Sequence, residues 1–158
     1  MWEMDFVVEM ISAVIATVSF AILFRLRARY LVLAGIGGGI TYFIYYVINA
    51  GFGALFAASF FASIFSALYS EVCARVKRAP ATLFIFPCAI SIVPGGSLYR
   101  TMISLISADY DAAWDYFGDT MSVAMGIAGG LIFVSLVFYT VTGVRNHLKA
   151  QRAYRKES

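Results

Sequence analysis

Pro80-Ala-Thr-Leu-Phe-Ile-Phe-Pro87-Cys-Ala-Ile-Ser-Ile-Val-Pro94-Gly95-Gly96-Ser97-Leu-Tyr99-Arg100-Thr-Met102 contains all three prolines of a 158-residue chain, set among mostly apolar side chains. Pro80 suits a helix start, because a first-turn residue has no intrahelical partner for its N–H. Pro87 removes one backbone bond and predicts a kink, and Pro94 followed by two glycines predicts an outright interruption. A helix rises about 20 Å from Pro80 to Pro94. In a bilayer the break therefore falls inside the hydrocarbon, beyond its middle as measured from the Pro80 end. Irregular backbone at that depth survives only where protein buries it or where it lines a wet cavity, since hydrocarbon satisfies no N–H or C=O group.

The rest of the chain shows that a bilayer is its solvent. Hydrophobic residues make up 61% of the sequence and charged ones 13%, with a mean hydropathy of +0.82, far above an ordinary soluble domain. About 20 apolar residues cross the hydrocarbon as a helix. The crossings are predicted at residues 6–24, 31–48, 51–70, 81–106 and 120–143. This is an all-α membrane protein of about five transmembrane helices, with a single membrane domain over 1–144 and a short basic tail over 145–158. Glu3 and Asp5, not Lys or Arg, precede the first apolar stretch and no small-residue cleavage site follows it, so it is expected to remain as a helix.

Eleven of the twelve basic residues fall on one side of this topology: Arg25, Arg27 and Arg29; Arg75, Lys77 and Arg78; and Arg145, Lys149, Arg152, Arg155 and Lys156. The other side receives Glu3, Asp5, Asp109, Asp111, Asp115 and Asp119, with Trp2, Tyr110, Trp114 and Tyr116 as interfacial anchors. The positive-inside rule then predicts the N-terminus outside and the C-terminus in the cytoplasm, the tail lying along anionic headgroups. Topology accounts for the basic clusters, and no nucleic-acid partner is implied. Gly35 to Gly39, Gly126 to Gly130 and the ladder Ala54, Ala58, Ala62, Ser66, Ser70 are spaced for close helix contact; the run Gly37-Gly38-Gly39 also admits an unwound stretch lining a path.

A discontinuous helix is where transporters commonly bind substrate. If Ser97 caps a second short helix, the N–H groups after it carry positive partial charge, and Arg100 adds a full charge with a fork that matches a carboxylate. Pro87, Pro94, Gly95, Gly96, Ser97, Tyr99 and Arg100 are therefore the candidate substrate-binding residues. The alternative is that Pro-Gly-Gly only turns the chain and Arg100 snorkels to the outer interface. Glu9 could relay a proton, pair with Arg100 or simply be solvated. Asp119 is expected to open the fifth helix, where an acid complements the dipole, and is the second candidate for proton coupling. Glu71 and Arg75 are spaced for a helical surface pair, and Asn49 marks the end of the second helix. Cys73, Cys88 and His147 are assigned no chemistry. No nucleophile triad, phosphate loop or metal-ligand spacing is present, so neither an enzyme nor a cofactor is expected.

The chain resembles the small-subunit type of the threonine/serine exporter family. The resemblance runs from Ser19-Phe-Ala-Ile-Leu-Phe24 through Gly35-x-Gly-Gly-Gly39 and the charged entry to Pro80. Its most specific part is Pro87, then Pro94-Gly95-Gly96-Ser97-x-Tyr99 and Met102-Ile103-Ser104. The resemblance implies half of a two-component exporter in a bacterial inner membrane, paired with a larger membrane subunit. Its substrate would be a small carboxylate-bearing metabolite, threonine or serine or a dicarboxylate such as succinate. It also implies coupling to protons, for which Glu9 and Asp119 are the local agents. Two other functions fit the residues: a non-transporting membrane scaffold, and a small homo-oligomeric channel.

Overall fold

A computed structural model describes the backbone of residues 2–157 and the side chains of residues 6–141. Six helices follow one another: α1 (Trp2–Leu23), α2 (Ala28–Phe52), α3 (Leu55–Lys77), α4 (Thr82–Ile90), α5 (Gly95–Ile106) and α6 (Tyr110–Glu157). Among the described residues there is no strand. Four segments are long and apolar enough to cross a membrane: Phe6–Leu23, Ala28–Phe52, Leu55–Lys77 and Tyr110–Val141. The pair α4 and α5, bent by 54°, supplies a fifth as one broken span. Trp2, Glu3 and Asp5, and the tail with His147, lie outside the residues whose side chains are described.

Small side chains build the interior, and large ones face outward. On α3, Ala58, Ser59, Ala62, Ser63, Ser66 and Ser70 are fully buried, whereas Phe61, Leu68, Val72 and Val76 are exposed. A lipid-facing surface is as apolar as the core, so helices gain little from hiding Leu or Phe and associate by close backbone packing instead. The α3–α6 seam shows this. A Cβ added to Gly126 would stand 2.7 Å from the Phe56 carbonyl oxygen, and one on Gly130 would stand 2.6 Å from that of Phe60. Ser63 donates across the seam to the Gly126 carbonyl at 3.4 Å. Helix α2 continues unbroken through Gly37-Gly38-Gly39, where the missing side chains admit Thr17 of α1, Tyr69 of α3 and Cys88 of α4. The glycine run is a packing surface, not an unwound one.

Local rules and packing disagree at three places. Helix α4 passes through Pro87 and ends at Ile90, so the interruption is confined to Ser91–Pro94 and does not include Pro87. Phe84, Pro87 and Cys88 are fully buried where α4 packs against α1, α2 and α3, and this contact holds a helical path that proline alone disfavours. Asn49 lies within α2; the turn comes at Gly53, whose left-handed backbone (φ 61°) returns its N–H to the Asn49 carbonyl at 2.8 Å. Asp119 does not open the last helix, which begins at Tyr110. Asp109 is the cap: its carboxylate accepts from the Ala112 N–H at 3.2 Å and its carbonyl from the Ala113 N–H at 3.1 Å. The added N-terminal turns of α6 have α5 packed against them, and Ala113 and Thr120 are buried.

Candidate functional site

The break places two helix ends together in the broken span. After α4 ends, Ile92 and Val93 close short turns onto Ala89 and Ile90, and the Gly95 N–H reaches only the Val93 carbonyl, at 2.8 Å. Pro94 is the N-cap of α5 (φ −78°, ψ 56°) and provides no side-chain cap. Ser97 is the third residue of the helix, inside its first turn, and no side-chain cap bond forms; the expected capping role is corrected accordingly. Its carbonyl instead accepts from the Thr101 hydroxyl at 2.8 Å. The first-turn N–H groups of α5 are thus left without the oxygen that a Ser or Asp cap would supply.

Around this terminus the surface is open. Gly95 and Gly96 are exposed, and a Cβ at either would meet nothing within 4 Å. Tyr99 is 64% exposed and Arg100 is exposed, its guanidinium carbon 5.7 Å from the centre of the Tyr116 ring on α6. Helix α5 is amphipathic in a sense opposite to that of a soluble protein. Thr101 and Ser104 are buried toward α6, while Leu98, Met102, Leu105 and Ile106 are exposed. Pro87 lies apart from this surface, packed in the bundle. The seven candidate substrate residues therefore do not form one patch: six surround the α5 terminus and its first turns, and Pro87 supports the helix leading to it.

Glu9 does not pair with Arg100. Its carboxylate accepts a hydrogen bond of 2.5 Å from the Tyr42 hydroxyl on α2. Asp119 is exposed on α6, and Tyr45 lies one turn from Tyr42 on α2, with the two tyrosine rings 6.3 Å apart. Glu9 is thus held by an α2 tyrosine and not by an arginine. No sequence spacing reveals this contact, since Tyr42 lies well inside α2. Glu71 and Arg75 do form the expected i,i+4 pair, at 3.5 Å.

A cavity of about 480 Å³ separates α5 from the start of α6, lined by Thr101, Leu105, Tyr110, Asp111, Trp114 and Phe117 among others. Its one charged group is an acid, so its chemistry does not favour an anionic ligand. Among the described residues no three His, Cys, Asp or Glu side chains converge on a common point.

A helical bundle with a broken crossing, small residues at its seams and apolar side chains outside belongs to the multi-pass membrane proteins. A family model described as Threonine/Serine exporter, ThrE, matches residues 9–137, and the chain belongs to that family of transporters. No curated protein and no solved structure matches the chain.

Proposed function

We propose that this chain is one subunit of a secondary exporter that moves a small carboxylate-bearing metabolite, threonine or serine or a dicarboxylate such as succinate, outward across a bacterial inner membrane. The larger membrane subunit of the same transporter is its partner. The N-terminus lies outside and the basic tail in the cytoplasm, with residues 1–144 as the membrane domain and 145–158 as the tail. The observation that carries this reading is the uncapped α5 terminus at the break in the span, flanked by Gly95 and Gly96, with Arg100 on the next turn. Free N–H groups and the helix dipole favour an anion there, and a guanidinium supplies the matching fork. Exposure of this surface supports the second subunit, since a polar break in a membrane requires a protein or water neighbour and the lone chain leaves it uncovered. Glu9, held by Tyr42, and Asp119 are the residues proposed for proton coupling.

The test is uptake of labelled serine, threonine and succinate into inverted vesicles under an imposed proton gradient, with this chain alone or with a co-encoded larger membrane protein. Saturable uptake requiring both chains, abolished by Arg100→Ala without loss of protein from the membrane, is the expected result. A second reading has its own observation: Arg100 resting over the Tyr116 ring is also how a snorkelling arginine would sit at the interface. Under that reading the chain is an assembly scaffold, and Arg100→Ala changes complex yield while uptake per complex stays the same.

A further inference from the structure

The opposite end of the bundle carries a second polar feature that substrate transport does not use. The α1–α2 and α3–α4 connections come together around a cavity of about 300 Å³ lined by Arg25, Arg27, Arg29, Lys77 and Arg78. No acidic side chain lines it, and the one ion pair among the described residues, Glu71 with Arg75, lies outside it. Leu26 and Tyr30 are buried beside the five exposed cations. Arg29 lies 4.6 Å and Lys77 6.0 Å from the centre of the Tyr30 ring, so one aromatic side chain ties both connections to the same place.

The positive-inside rule explains why basic residues occur in these connections. It does not require five of them to face a single cavity. Nor does it place them at strained positions, yet Arg25 (φ 56°) and Arg78 (φ 52°) both occupy the left-handed region where glycine is the usual helix-ending residue. Immediately next to Arg25, Phe24 stacks on Phe86 with ring centres 5.8 Å apart, and both are exposed, Phe86 one helical turn beyond the cavity-lining Leu83. A cationic cavity with an exposed aromatic pair on its hydrocarbon side matches an amphiphile: a phosphate group among the cations and an acyl chain along the rings.

We propose that this cavity is a binding site for an anionic phospholipid, whose headgroup phosphate is held by Arg25, Arg27, Arg29, Lys77 and Arg78 and whose acyl chain lies against Phe24 and Phe86. The test is native mass spectrometry of the purified full chain, titrated with phosphatidylglycerol and with phosphatidylcholine. Two double variants, Arg25→Gly with Arg78→Gly and Arg27→Gln with Lys77→Gln, are compared with the charge-matched Arg152→Gln with Arg155→Gln in the tail. Glycine suits the left-handed backbone, so the first variant removes charge without disturbing the turns, and thermal unfolding in lipid-free detergent verifies that both remain folded. With roughly 1 kcal/mol for each cation near an anionic lipid, each cavity variant loses phosphatidylglycerol affinity by about thirtyfold while the tail variant keeps it. An equal loss in the tail variant would overturn the site in favour of diffuse surface attraction, and retention of phosphatidylcholine as strong as that of phosphatidylglycerol would overturn its selectivity for an anionic lipid in favour of apolar contact alone. Displacement of the lipid by inorganic phosphate at comparable concentration would overturn the assignment to lipid.

Discussion

The Tyr42 hydroxyl of α2 donates to the Glu9 carboxylate of α1 across 33 positions of sequence. Tyr42→Phe removes that donor and leaves the acid with less support, costing about 1.5–3 kcal/mol by hydrogen-bond scales for a charged acceptor. Thermal unfolding in detergent measures this. Glu9→Gln keeps an acceptor for Tyr42 but no longer takes up a proton. Its expected effect is loss of gradient-driven uptake with counterflow exchange preserved, and gradient-driven uptake at the wild-type rate would remove Glu9 from the coupling path.

At the α3–α6 seam, Gly130→Ala sets a methyl group against the Phe60 carbonyl, and Gly126→Ala does the same at Phe56. Backbone cannot rotate away as a side chain can, so each substitution destabilises by about 1–3 kcal/mol. Gly51 is the control. It lies in α2 with nothing within 4 Å of an added Cβ, and Gly51→Ala stabilises by about 0.5–1 kcal/mol through helix propensity. If the three variants unfold at the same temperature, the seam is not a backbone contact.

Ser66 and Ser70 are fully buried, and among the described residues their hydroxyl oxygens have no hydrogen-bond partner. Removing such a group leaves nothing unsatisfied behind, so Ser66→Ala and Ser70→Ala should be neutral or more stable by about 1 kcal/mol. A loss of stability in either variant would show that the hydroxyl has a partner in the assembled transporter.

Gly95→Ala tests the approach to the α5 terminus. The added methyl group meets no protein atom, and the helix gains up to about 1 kcal/mol from alanine. Stability is therefore preserved. A rise in KM at constant maximal rate is expected if a ligand comes close to that backbone, and unchanged kinetics would move the substrate elsewhere.

What could be read from the sequence depended on whether a local rule or a distant neighbour decided the outcome. The span broke at Pro94 as read because a missing N–H acts wherever it stands, whereas Gly95 and Gly96 do not extend the break but open α5. Pro87 obeyed the same rule only in isolation, since burial beside Phe84 and Cys88 outweighed its cost. Asp119 looked like a cap because the apolar stretch starts just after it, yet Asp109 caps a helix that continues past the apolar boundary with α5 alongside it. Five crossings were visible in hydropathy alone, as was the gathering of cations at one end. The relation of Glu9 to Tyr42 was not, because it depends on how α1 and α2 are rotated against each other.

The chain divides into two packing groups. Helix α4 nests with α1, α2 and α3, whereas α5 rests against α6, and Ser91–Pro94 is the covalent link between the two halves of the broken span. The groups otherwise meet along the α3–α6 seam, where Gly126 and Gly130 bring backbone close to backbone. A rocking of one group against the other would pivot on that stiff seam, and its angular travel would be absorbed by four residues that already lack a continuous helical ladder. The same four residues adjoin the exposed glycines, so a rigid-body swing would be felt first at the N–H groups of α5, coupling the pivot to the mouth of the proposed site.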